Sequence, residues 1–315
     1  MMNHLISAKD LSAEQIHNLF GVARIFTSIV KQGQTIPLLK GTTTVNLFYE
    51  NSTRTRTSFE LAVRKLEGGL LTFSASGSSA QKGETLIDTA RNITAMGPHC
   101  IVMRHSSSGS PTLLSRMISV PIINAGDGLH EHPTQGLLDA FTIQESLGSI
   151  QGKKVVIVGD IAHSRVARSN IHILRKLGAN VTVCGPPTLL PPELDKMGVP
   201  YSYRLEDLLP DADVVMALRI QLERQNRMQI PSLSEYSRFW GLNQQRVKLL
   251  KKNCIILHPG PINRGVEMDP EVADGPHSLI LDQVFNGVVV RMAVLAEICN
   301  PSALRKWLDQ GGFRV

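Results

Sequence analysis

The sequence predicts an α/β protein of two doubly wound domains, each with a mainly parallel sheet flanked by helices. Three observations carry this. Apolar runs such as Cys100-Ile101-Val102-Met103, Val155-Val156-Ile157-Val158 and Cys254-Ile255-Ile256-Leu257 are continuous rather than alternating, as expected of strands buried on both faces. Between them lie segments whose apolar residues recur at helical spacing, the rhythm of βα units. The chain's 315 residues exceed one ordinary core, suiting two domains of about 150 residues each. The rhythm also restarts after the polar stretch Gly148 to Lys154. The expected domains are residues 1–147 and 148–287, with the final helix, about 288–315, packing back on the first.

The first helix starts at Ser12, whose spacing to Gln15 has the form of a capping box, and carries Ile16, Leu19, Phe20, Ala23 and Val30 on one side. A strand over Thr44 to Tyr49 leads to Ser52-Thr53-Arg54-Thr55-Arg56-Thr57-Ser58, read as a hydroxyl-rich turn before a helix on Phe59, Ala62, Val63 and Leu66. A helix start offers backbone N–H groups and a positive dipole end, and guanidiniums and hydroxyls add charge and donors without bulk. The chemistry suits a phosphate; the plainer alternative is an N-cap with a solvated basic turn. A strand over Leu70 to Phe73, an exposed loop to Gly83 and a helix from Glu84 to Met96 follow. Arg104 then stands at the carboxyl end of the strand Cys100 to Met103, the edge where open α/β sheets bind ligands. A helix over Pro111 to Ile118 and a strand over Val120 to Asn124 precede a loop to Glu131. In His132-Pro133-Thr134-Gln135, Pro133 can open a helix, which puts His132 and Gln135 near its mouth.

In the second half, Gly159-Asp160 follows a buried strand, yet the glycines of a dinucleotide fingerprint are missing, and pyrophosphate binding is excluded on that ground. Arg165 instead offers a cation at a helix start. A strand over Val181 to Cys184, a Pro-rich turn with a short helix, and a strand over Val214 to Leu218 lead to Arg219-Ile220-Gln221. The polar, poorly periodic segment Glu223 to Tyr236 reads as a long mobile loop. A helix on Val247, Leu249 and Leu250 follows, then the strand ending in His258-Pro259-Gly260-Pro261. Its prolines remove two backbone donors and stiffen the turn, leaving carbonyls as fixed acceptors for a ligand's N–H groups. The last helix, Asp282 to Ile298, is apolar enough to pack on the first domain.

A net charge of +6 and a pI near 9.2 suit nucleic acid or small anions. With aromatics at 5% and no run of five basic residues, single-strand stacking platforms are excluded and small anions fit better. No stretch of about 18 apolar residues occurs, nor a long apolar run before Asp10, so a cytoplasmic protein that neither spans a membrane nor is secreted is expected. Cys100, Cys184, Cys254 and Cys299 are far apart with no C-x-x-C pair, which points to buried, reduced thiols rather than a disulfide or metal site.

Taken together, S-T-R-T-R-T-S-F-E, Q-K-G-E-T, V-M-R-H, H-P-T-Q, V-G-D-x-x-x-S-R, R-x-Q-x-E-R and H-P-x-P occur in this order between residues 52 and 261. In this the chain resembles the catalytic chains of aspartate carbamoyltransferases over essentially its whole length. The resemblance implies a carbamoyl-phosphate domain followed by an aspartate domain, in an enzyme of pyrimidine biosynthesis with neither cofactor nor metal. It implies that Ser52, Thr53, Arg54 and Thr55, with Arg104, hold the phosphate. Thr55, Arg104, His132 and Gln135 would contact the carbamoyl group, with the backbone of Gly260 and Pro261. Arg165, Arg219 and Gln221 would grip the two carboxylates of aspartate. It further implies a homotrimer whose sites are shared, Ser78 and Lys82 reaching the neighbour's carbamoyl phosphate and Lys82 also its aspartate. Whether a regulatory chain or a dihydroorotase-like partner binds stays open. The catalytic set is then Arg54, Thr55, Lys82, Arg104, His132 and Gln135. His132 serves either as a neutral donor fixing the helix mouth or as an acid. Gly260 departs from the Leu or Ala often found in the family. Ornithine carbamoyltransferases, the related alternative, show H-C-L-P where this chain has H-P-G-P, and a cationic side chain would meet Arg219 unfavourably. A non-catalytic phosphate-binding scaffold is the other alternative, discriminated by loss of a site residue; none is lost.

Overall fold

The computed structural model describes residues 2–74, 84–192, 194–221 and 229–311. Two compact units emerge: Met1–Thr134 with Val284–Val315, and Gln135–Gln283.

In the first unit, helix α1 (Ala13–Lys31) begins with the capping box the sequence shows: Ser12 Oγ accepts from Gln15 N at 3.1 Å, and Gln15 Oε1 from Ser12 N at 2.8 Å. Four parallel strands follow, β1 (Thr43–Phe48), β2 (Gly69–Ser74), β3 (Cys100–His105) and β4 (Ile122–Asp127), in the order β2-β1-β3-β4. Helices α2 (Thr53–Lys65), α3 (Leu86–Ala95) and α4 (Ser110–Met117) connect them. Val45, Leu47, Ile101, Met103 and Ile122 of the sheet pack with Ala90, Ile93 and Leu114 of the helices. Helix α5 (Pro133–Leu147) carries the chain onward.

The second unit is a five-stranded parallel sheet of β5 (Lys154–Val158), β6 (Asn180–Cys184), β7 (Tyr201–Ser202), β8 (Val214–Ala217) and β9 (Ile255–Leu257), ordered β7-β6-β5-β8-β9. Helix α6 (Arg165–Lys176) follows β5; α7 (Leu194–Met197), α8 (Leu233–Trp240), α9 (Gln244–Val247) and α10 (Pro270–Ala273) come later. Val156, Val158, Val215, Ala217 and Ile256 form its core with Leu205, Leu242 and Met268.

Several expected elements differ. Helix α2 already begins at Thr53, so the basic stretch is a helix start rather than a turn. Within the expected loop Glu223 to Tyr236, residues 222–228 lie outside the described residues, but Leu233 onward is helix α8. Ser232 caps it, accepting from Glu235 N at 3.0 Å, and Tyr236 is buried with its ring 5.9 Å from that of Trp240. Leu233, Tyr236 and Trp240, at helical spacing, are enough apolar face for two turns, too little to stand out in a polar run. The helix expected on Val247, Leu249 and Leu250 ends at Val247. Strand β4 starts two residues late and runs through Asp127. The last helix is two, α11 (Ile280–Cys299) and α12 (Pro301–Asp309), bent by 111° where Asn300 caps α12 and Pro301 opens it. Among the described residues no single helix is long and apolar enough to cross a membrane. The bent pair passes on length and composition, with residues 289–296 of α11 buried.

Cys100, Cys184 and Cys254 are buried, and Cys299 is partly so. Burial pushes the Cys184 and Cys254 thiols up to about 12. At about pH 8, iodoacetamide should therefore leave both unmodified in the native protein and label both after denaturation, as read by peptide mass spectrometry. Rapid native labelling would contradict the packing. Unfolded thiols release protons above about pH 8.5, while these folded thiols keep theirs to about 12. Their contribution to stability is thus complete below that range and falls as pH rises through it.

Candidate active site

In the first unit the chain leaves β1 outward to β2, then returns past β1 to β3. At such a reversal successive crossovers diverge to opposite sides, opening a crevice beyond the carboxyl ends of the two strands. Ser52 to Thr55 follow β1, and Arg104 in β3 lies opposite Phe48, the last residue of β1. Ser52 is extended and makes no side-chain cap bond, while Thr53, Arg54 and Thr55 form the first turn, whose N–H groups are directed away from the helix body. Thr55 is buried, its Oγ1 3.5 Å from His132 Nε2. Higher in the stretch, buried Ser58 donates through Oγ to the Thr55 carbonyl at 2.9 Å, whereas Arg56 lies on the helix surface and faces Glu60 at 3.7 Å.

Arg104 is buried, donating through Nη1 to the Ala125 carbonyl at 3.3 Å and through Nη2 to Glu50. The turn before His132 is fixed by buried Asp127, which accepts from Asn124 Nδ2 at 2.8 Å, Gly109 N at 2.7 Å and Glu131 N at 3.2 Å. Glu131 accepts in turn from Ser7 Oγ and from Ala8 N at 2.6 Å. Glu50, Asp127 and Glu131 escaped the sequence reading, where acids in a basic site look like ordinary surface charge. Ser78 and Lys82 lie outside the described residues.

The second unit repeats the device. From β5 the chain runs out to β6 and β7, then returns to β8 and β9. Arg165 follows β5 as the first residue of α6 and is buried, while Arg219 and Gln221 follow β8. Arg219 Nη2 donates to Gln221 Oε1 at 3.4 Å, and Gln221 Nε2 to the Arg219 carbonyl at 3.3 Å. Buried Asp160, its role unread in the sequence, accepts from Gln221 N at 3.2 Å and from His163 N at 3.1 Å. Gly159 makes this possible: φ is +136°, and an added Cβ would stand 2.7 Å from the Leu218 carbonyl oxygen. This glycine serves the close passage of β8 beside β5.

After β9, Gly260 adopts φ +64°, a value that favours glycine. Gly260 N donates to His258 Nδ1 at 2.8 Å, and His258 N to Gln283 Oε1 at 2.9 Å, which pins the turn. Gln135, in the same unit, donates through Nε2 to buried Asp139 at 2.9 Å. Each unit thus presents cations and hydroxyls, or cations and an amide, at its own strand reversal, an arrangement suited to anionic ligands. Among the described residues no group of three His, Cys, Asp or Glu side chains could hold a metal ion.

Residues 3–145 match the family model described as aspartate/ornithine carbamoyltransferase, carbamoyl-P binding domain, and residues 151–298 match its Asp/Orn binding domain. The chain belongs to the aspartate/ornithine carbamoyltransferase family. Within this family it is 54% identical over 293 residues, 93% of either chain, to a protein of Opitutus terrae named aspartate carbamoyltransferase catalytic subunit. It is 55% identical to one of the same name from Acetivibrio thermocellus, over 92% of this chain and 94% of that one. A Trypanosoma cruzi aspartate transcarbamoylase, solved in complex with carbamoyl phosphate and aspartate, superposes with a TM-score of 0.86 at 30% identity, over 94% of this chain and 96% of that one. The catalytic subunit of the M. jannaschii enzyme gives 0.83 at 38% identity, over 96% and 99%. The expected fold of two parallel-sheet domains is that of these carbamoyltransferases.

Proposed function

We infer that the protein transfers the carbamoyl group of carbamoyl phosphate to the α-amine of L-aspartate, giving N-carbamoyl-L-aspartate and phosphate in pyrimidine biosynthesis. The observation that carries this reading is the pair of strand reversals: Ser52 to Thr55 with Arg104 at one, Arg165 with Arg219 and Gln221 at the other. The first set suits a phosphate and the second a dicarboxylate.

In the proposed reaction the neutral amine attacks the carbamoyl carbon, a tetrahedral intermediate forms, and the carbon–oxygen bond to phosphate breaks. Departing phosphate takes the amine's proton, so no side chain need be a dedicated base. Arg54 balances charge on the leaving phosphate. Thr55, Arg104 and His132 donate to the developing oxyanion, and preorganised donors of this kind lower the barrier without reorganising during the step. Gln135 and the carbonyls after β9, at Gly260 and Pro261, accept from the carbamoyl NH2. Arg165, Arg219 and Gln221 hold the aspartate carboxylates. Ser78 and Lys82 complete the site of a neighbouring chain in a trimer, since a head-to-tail contact repeated three times closes on itself. A monomeric mass by sedimentation would refute that assembly. The relatives' name, catalytic subunit, keeps a non-catalytic partner within the same proposal.

Purified protein is expected to release phosphate from carbamoyl phosphate with L-aspartate and not with L-ornithine. The Arg219 and Gln221 pair offers a carboxylate a cation and an amide, and offers an ammonium a repelling charge. Turnover with ornithine alone would overturn the choice of acceptor; turnover with neither would overturn the reaction.

A further inference from the structure

The mechanism above gives no part to Asp139, a fully buried carboxylate of α5. Its Oδ1 accepts from Gln135 Nε2 at 2.9 Å and Gln283 Nε2 at 2.7 Å, and its Oδ2 from Asn170 Nδ2 at 2.7 Å. Helix packing makes the approach to Asn170 possible: a Cβ on Gly136 would stand 2.9 Å from Ile173 Cδ1 and 3.1 Å from the Ser169 backbone, so α5 and α6 meet at a glycine. An ionised carboxylate only accepts. It therefore selects the NH2 end of every amide it touches and turns each C=O away. For Gln283 that oxygen takes the His258 N–H at 2.9 Å, which ties the turn after β9 to the same anchor. Asn170 cannot turn over either, since its NH2 also donates to the Val166 carbonyl at 3.1 Å.

We propose that Asp139 is a positioning residue that fixes the Gln135 amide with Nε2 inward and Oε1 outward, so that Gln135 presents an acceptor to the carbamoyl NH2. This rests on the proposed role of Gln135 and deepens it: the NH2 group of the substrate is recognised because a buried anion forbids the flipped amide. The same anchor holds the second acceptor, the turn after β9, in a constant position relative to Gln135. In the sequence the signal was an acid four residues after Gln135 inside the apolar run Leu137, Leu138, Ala140, Phe141, a spacing that stacks both on one helix face.

The test is a double-mutant cycle of Asp139→Asn and Gln135→Ala in the full chain, reading kcat/KM for carbamoyl phosphate, inhibition by inorganic phosphate, and the thermal transition. An asparagine at 139 carries its own NH2, and the Gln135 amide can then turn its donors toward the substrate. Asp139→Asn is expected to lower kcat/KM by about tenfold or more, in line with loss of a charged hydrogen bond. Phosphate inhibition should stay within about threefold, and in the Gln135→Ala background the same substitution should cost only a few-fold, the sign of coupled residues. A full, additive loss in that background, or an equal loss of phosphate affinity, overturns the proposal. A Gln135→Ala protein with unchanged kcat/KM fails instead the role given to Gln135, and an inactive parent chain fails the reaction. If Asp139→Asn does not fold, Asp139→Ser, small and open to water, runs the same cycle.

Discussion

Arg54→Ala is expected to leave a folded protein whose turnover falls by about 100-fold or more, the usual cost of losing one preorganised contact to developing charge. Arg54 is exposed in the first turn of α2, whereas the helix is held by Phe59, Ala62 and Val63, all fully buried. Stability should therefore change by less than about 1 kcal/mol, as for other exposed positions. Phosphate-release rates and a thermal melt separate the two effects; near-normal turnover in a correctly folded variant would remove the phosphate assignment from the start of α2. The same variant tests the shared site. After dissociation and reassembly with Lys82→Ala chains, about one quarter of sites in a random closed ring pair an intact Arg54 with an intact Lys82 from the neighbour. If both residues served one chain's own site, the mixture would stay as inactive as its parents.

Gly159→Val should strongly damage the second unit. A Cβ there would stand 2.7 Å from the Leu218 carbonyl oxygen and 3.0 Å from Leu218 Cβ, at a φ of +136° that a β-branched residue resists. Backbone strain and overpacking together give a loss of about 2–5 kcal/mol, visible as a lower denaturant midpoint. The loss should extend to aspartate use, because Asp160 follows directly and holds the backbone of Gln221. A variant as stable as the parent would mean that β5 and β8 do not pass as closely as described.

Much of this was legible in the chain. Among the described residues, apolar-rich runs located eight of nine strands and missed the two-residue β7; the clearest, β3, β8 and β9, are buried along nearly their whole length, and a strand covered on both faces has no polar side to alternate with. The capping box at Ser12 and Gln15 appeared where its spacing put it. The polar run ending in α8 concealed its helix, since Leu233, Tyr236 and Trp240 are the residues of that short helix that pack into a core, spread among polar neighbours.

The candidate site divides in the same way. Residue type and spacing marked Ser52 to Thr55 as suited to a phosphate and placed Arg104 and Arg219 at strand ends and Arg165 at a helix start, while the carboxylate-gripping roles of Arg165, Arg219 and Gln221 were implied by the family resemblance. Sequence by itself thus determined the layered α/β class, the family and the chemical nature of the ligands. Tertiary structure alone decided which strands are neighbours, and so which of these residues share a reversal: Thr55 meets His132 across 77 positions, and Asp160 meets Gln221 across 61. The buried acids Asp127, Glu131, Asp139 and Asp160 were likewise decided by the fold. A carboxylate becomes a positioning group only when packing removes water and leaves protein donors as its partners, and that pairing depends on distances in space that spacing along the chain does not encode.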